Sequence, residues 1–164
     1  MPFDPQAYGP EVAAILALDG DGERLMPLVQ SGCSAPEARS RLQAVTARTL
    51  FPQSYAPEAA LAGLYLYFGC WAEAHEIAQN VSTPEGSYWH AIVHRQEPDA
   101  ANSGYWFRQV GAHPIFPALA KIAGIARWDP FEFIRQCENA RPGTLELQRA
   151  EWQLLFDYCA AKKA

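Results

Sequence analysis

Proline and glycine punctuate this chain so that almost every interval between them holds apolar residues recurring at three- and four-residue steps, the period of a helix with one buried face. No run of four to eight β-branched residues alternates strictly, and Ala, Leu, Glu, Gln and Arg fill the periodic segments. Together these features predict an all-α fold. The spacing places helices over Pro10–Leu18, over Glu23–Val29 with an interruption at Pro27, and from a capping box at Ser34-Ala35-Pro36-Glu37 to about Leu50. Further helices are predicted from Pro57 to Gly69, Trp71–Asn80, Thr83 to about Glu97, and Asp99 to the Val110-Gly111 stop. Ile115–Ala126, Pro130–Ala140 and Leu145–Ala160 complete the set, with Asp129 and Thr144 as caps for the last two. At 164 residues, this is a single helical domain over 1–164.

Charge and composition remove several functions. The net charge is −5 and only 19% of residues are charged, so no basic field exists to gather the phosphates of a nucleic acid or an anionic membrane. The longest uncharged stretch, Ala59 to Ala72, is shorter than the ~20 residues a bilayer crossing requires. The first residues carry Asp4 and Glu11 where an export signal needs an apolar run, so a cytoplasmic location is expected. The four cysteines, 33, 70, 137 and 159, form no C-x-x-C pair and read as reduced, mostly buried thiols. Cys33 stands just before a helix start, where the macrodipole favours a thiolate. No phosphate-binding loop, dinucleotide fingerprint, nucleophile elbow or EF-hand loop occurs.

Polar and aromatic groups concentrate between Tyr88 and Phe116, which holds three of the four histidines. His90, His94 and Glu97, four and three residues apart, project from one helix face if the helix continues that far. With His113 swinging back from the following turn, that set allows a divalent metal, although the residues between the histidines supply no H-E-x-x-H general base. The same residues also make a buried polar network, in which the histidines bond backbone or Glu97 and Arg95 or Arg108 forks with a carboxylate. The reading that uses most of them is a binding pocket for a small anionic or planar ligand. In it His90, His94 and Arg108 are donors, Glu97 and Asp99 orient them, and Asn102, Tyr105 or Trp106 supply an amide and a stacking face. Arg95 and His113 border that pocket, and His75 is expected on the surface, partly exposed. Two alternatives stand beside it: a histidine-dependent enzyme, with or without a metal, and a scaffold for a protein partner along a concave face. No cofactor other than that divalent metal is implied.

Two resemblances bear on these expectations. Ala59–Ala74, with a Leu/Tyr-rich first helix, Gly69 at the turn and Trp71-Ala72-Glu73-Ala74 opening the second, resembles one tetratricopeptide unit, and Glu85–Gly111 repeats the plan loosely. That resemblance implies stacked antiparallel helical hairpins and a groove for a peptide or partner protein. The run His90-Ala91-x-x-His94-Arg95-x-Glu97-x-Asp99-x-x-Asn102-x-x-Tyr105-Trp106-Phe107-x-x-Val110-Gly111-x-His113-Pro114 is similar to a motif of a family of short all-α proteins with no assigned activity. Glu151-Trp152-x-Leu154-Leu155-Phe156 looks like that family as well.

Overall fold

The structure is a computed structural model that describes residues 2–163. Its ten α-helices are α1 (Pro10–Leu16), α2 (Pro36–Gln43), α3 (Ala47–Leu50), α4 (Pro57–Tyr67), α5 (Trp71–Gln79), α6 (Pro84–Gln96), α7 (Ala100–Val110), α8 (Phe116–Ala123), α9 (Pro130–Glu138) and α10 (Thr144–Ala160). The all-α expectation holds, and no helix among the described residues is long and apolar enough to cross a membrane.

Proline opens six of these helices because its fixed φ suits the first turn, where its lost N–H had no partner to lose. Thr83, Asp99 and Asp129 cap α6, α7 and α9 by accepting backbone N–H groups, as their positions in the sequence indicate. Four expectations fail. Glu23–Val29 forms no helix, since Pro27 and the glycines before it leave too few residues to close helical turns. The capping box at Ser34 does not form: Ala35 is the N-cap, and Ser34 instead donates its N–H to Phe68 O at 2.7 Å. The helix continuing to Leu50 breaks after Gln43, and Thr46 caps a separate short helix. Thr144 is not a cap but the first residue of α10, its hydroxyl donating back to Arg141 O at 2.8 Å.

Residues on facing helices fix the packing. Trp71 of α5 donates from Nε1 to Val93 O of α6 at 2.8 Å, and His75 meets His90, so α5 and α6 run antiparallel. Ser103 Oγ donates to Ala91 O at 2.7 Å while Trp106 stacks on His90, which sets α7 antiparallel on another side of α6. At Gly63 of α4 an added Cβ would stand 2.7 Å from the Trp89 ring, so a backbone without a side chain is what admits that tryptophan. Trp152 of α10 donates from Nε1 to the carbonyl of the same Gly63 at 2.8 Å. Helix α6 is thereby enclosed by α4, α5, α7 and α10, and nearly all of it is buried.

Enclosure forces its polar side chains to find partners. Arg95, which the sequence places at a ligand pocket, turns to α10 and forms a bidentate pair with Glu151 at 2.7 and 3.3 Å. Gln148 accepts from the same guanidinium at 3.2 Å, Tyr88 donates to Glu151 at 3.0 Å, and the Phe133 ring lies 4.7 Å from the Arg95 carbon. The Arg95 and Glu151 side chains are 1% and 0% exposed.

The cysteines also depart from expectation. Cys33 and Cys70 form a disulfide, Cα–Cα 4.5 Å, while Cys137 and Cys159 are free and buried. Sequence spacing hides this pairing because 37 residues separate the two. Gly69, at φ 72°, turns the chain between α4 and α5 so tightly against Gly32 that a Cβ there would stand 2.6 Å from the Gly32 carbonyl, and that contact brings the cysteines together. Cys33 and Cys70 are therefore not the reduced thiols expected, and no thiolate stands at Cys33.

Removing one member of a buried ion pair leaves the other uncompensated. Glu151→Ala is expected to cost about 3–5 kcal/mol in urea unfolding, and the apolar double variant Arg95→Met/Glu151→Leu to recover most of that loss. A cost below about 1 kcal/mol for Glu151→Ala would show that the pair is not the enclosed element described.

Candidate functional site

The antiparallel contact of α5 with α6 brings three imidazoles together. His75 follows Trp71 by one helical turn on α5, and His90 and His94 are one turn apart on α6. Because the helices run in opposite directions, Trp71 lies beside His94, with ring centroids 6.3 Å apart, and His75 beside His90 at 4.7 Å. One ring nitrogen from each of His75, His90 and His94 lies within 4.8 Å of the others. The His75 and His90 Nε2 atoms are 3.1 Å apart. Two tryptophans close the sides: Trp71 stacks on His75 at 5.0 Å and 5°, and Trp106 on His90 at 4.0 Å and 21°.

The surroundings set the protonation of His75 and His90. Burial, then the neighbouring His94 and His75, push the His90 imidazole down from 6.5 to about 4. Burial and His94 also lower His75, with Glu97 opposing them. Both rings are therefore neutral at pH 7, and each has one unprotonated nitrogen. His94 presents Nδ1 to Glu97 Oε1 at 3.1 Å, with Asn102 Nδ2 beside it at 3.4 Å. A proton on Nδ1 satisfies the carboxylate and leaves Nε2 of His94 as the donor atom for a ligand. His90, only 4% exposed, has a buried Nδ1 with no hydrogen-bond partner.

The segment Tyr88–Phe116 is thus split among several places. His90, His94, Glu97, Asn102 and Trp106 meet at one site. Asp99 stands beside His94 and Glu97 but spends one carboxylate oxygen on the α7 cap, accepting from Asn102 N at 3.1 Å. Arg95 faces the opposite way, in its pair with Glu151. Tyr105 is 47% exposed, and Arg108 is exposed along α7 near Gly104, so neither arginine lends its charge to the histidines. His113 is not the fourth ligand of this set: it is buried elsewhere, 3.1 Å from Glu85 Oε2 and packed on Tyr88 and Tyr158. The residue missed in its place is His75, which is partly exposed as expected but packs against Trp71 and His90. Its signal was the Trp-x-x-x-His spacing on a short helix that had to pack against the histidine-bearing one.

Comparison with known proteins returns no matching family model, no matching curated protein and no matching solved structure. The site must be read from its own chemistry.

A histidine that titrates lower in the folded chain than in the unfolded one gives stability that is whole above the unfolded value and lost as pH falls toward the folded one. For His90 that window runs from 6.5 down to about 4. Across it, wild type is expected to lose stability more steeply than His90→Gln, by at most about 1.4 kcal/mol per pH unit. Parallel stability curves for the two proteins between pH 7 and pH 4 would contradict the assignment.

Proposed function

We propose that the protein binds a divalent transition metal through His75, His90 and His94, with Glu97 holding His94 in its ligating tautomer. The observation that carries this is the convergence of three imidazoles from two helices, with the His75 and His90 Nε2 atoms 3.1 Å apart. Nitrogens bound to one tetrahedral zinc at about 2.0–2.1 Å stand about 3.4 Å from each other, so a shift of a few tenths of an ångström would turn this pair into two ligands. The Glu97–His94 contact is the carboxylate–imidazole arrangement that orients ligating histidines. Imidazole donors suit zinc, copper and nickel rather than magnesium or calcium.

Three histidines leave one tetrahedral position for water or an added ligand, the pattern of catalytic rather than structural zinc sites. A metal there would act as a Lewis acid and lower the pKa of its water. Of the functions anticipated from the sequence, this geometry favours the histidine-dependent, metal-assisted one over a pocket for an anion. Arg95 is engaged with Glu151 and Arg108 points elsewhere, so the positive charge an anion would need is missing from the cluster.

The stacked tryptophans give the test a built-in signal. Adding Cu2+ or Ni2+ to protein purified without a histidine tag is expected to quench tryptophan fluorescence with one-site stoichiometry, reversed by a chelator. Zn2+ is expected to raise the melting temperature and release protons on binding. His75→Ala and His94→Ala should each weaken binding by about tenfold or more. Equal metal affinity in wild type and His75→Ala would refute the site.

A further inference from the structure

A second cluster of titratable groups lies apart from the histidine trio, at the start of α6. Glu85 is 3% exposed, yet it lines a cleft of about 400 Å3 together with Arg48, Phe51, Tyr55, Glu58 and Lys163. That volume is within the range of small-molecule sites. The carboxylate is held from behind by His113, whose Nε2 is 3.1 Å from Oε2. His113 Nδ1 accepts the Ile115 N–H at 3.3 Å, which puts the ring proton on Nε2, so a neutral imidazole donates to Glu85. Burial lowers the pKa of His113 and keeps it neutral, although its contact with Glu85 pulls the other way.

Glu85 is therefore a buried carboxylate whose protein partner carries no charge. No lysine or arginine pairs with it among the described residues. Arg95 and Glu151, nearly three turns further along the same helix and on its neighbour, show how this protein otherwise treats a buried carboxylate. The negative charge of Glu85 reaches into the cleft, where it is the first cause raising the Tyr55 phenol above its ordinary 10. A buried carboxylate without a counterion, beside aromatic walls and facing an open cleft, is suited to an incoming ammonium group. The rim has a different character: Arg48 and Lys163 outnumber Glu58, and neither cation is in an ion pair among the described residues.

We propose that this cleft binds a small amino-carboxylate zwitterion, its ammonium group on Glu85 between Tyr55 and Phe51 and its carboxylate toward Arg48 and Lys163. The site is separate from the histidine trio and does not depend on the metal reading.

Calorimetry with three probes of equal chain length tests it: 4-aminobutyrate, butylamine and butyrate. The zwitterion is expected to bind about tenfold or more tightly than either one-ended probe. Glu85→Gln keeps an acceptor for His113 while removing the charge, and should weaken 4-aminobutyrate binding by a similar factor. Arg48→Ala should weaken 4-aminobutyrate but leave butylamine unchanged. If Glu85→Gln fails to fold, wild type supplies an independent readout. 4-Aminobutyrate seated against Tyr55 should perturb the near-ultraviolet absorbance of that phenol at pH 7, isolated by difference from Tyr55→Phe, with the midpoint that calorimetry gives. Equal binding of all three probes, undiminished binding in folded Glu85→Gln, or an unperturbed Tyr55 spectrum at pH 7 would each overturn the proposal.

Discussion

A helix enclosed on all sides can carry polar side chains only where its neighbours return a partner for each. Helix α6 meets that condition unevenly along its length. At Arg95 compensation is ionic, a bidentate pair with Glu151 reinforced by Gln148 and Tyr88. At Glu85 it comes from uncharged groups, the His113 imidazole and the neighbouring Tyr55 phenol. At His90 one ring nitrogen faces His75 and the other faces nothing. The position with an ionic partner is structural, although Arg95 Nε itself is left without an acceptor, and the two candidate sites fall where no opposite charge is supplied. An incoming cation would remove the deficit in both cases, a metal at the imidazoles and an ammonium at the carboxylate.

The same helix explains why the two sites stay apart. His90 and His94 share a face that meets α5 and α7, whereas Glu85 and His113 lie at the opposite end near the chain's last residues and the Ser54–Tyr55 turn. Trp89, locked between Gly63 and the rest of the core, fills the space between these regions. Large aromatic side chains thus do two things here: Trp89 and Trp152 fill the core, while Trp71 and Trp106 shield imidazole faces from water.

Much of the fold is legible in local sequence because helix starts are local events. Thr83, Asp99 and Asp129 cap the helices they precede, and proline marks first turns throughout. The failures have tertiary causes. Ser34 has the spacing of a capping box, but its N–H is taken by Phe68 O, a partner that exists only once the α4–α5 turn is in place. The candidate site is half legible: the four-residue step from His90 to His94 and the three-residue step to Glu97 can be read directly. That Arg95 turns away follows from α6 being buried on its other face as well, which a polar-looking segment does not announce. His75 is invisible to motif reading because its partners come from another helix. The Cys33–Cys70 bond belongs to the same class, since its geometry arises where Gly32 and Gly69 touch.

That bond also changes the mechanical topology of the molecule. It closes a ring of chain around α2, α3 and α4, spanning a sequence separation of 37. A force pulling the chain from its two ends passes from Cys33 to Cys70 through sulfur and leaves the ring slack. About 120–130 Å of contour is withheld from extension for as long as the bond lasts. The bond thereby shelters the layer of helices on which Trp152 and Trp89 converge, and load is borne first by the segments outside the ring.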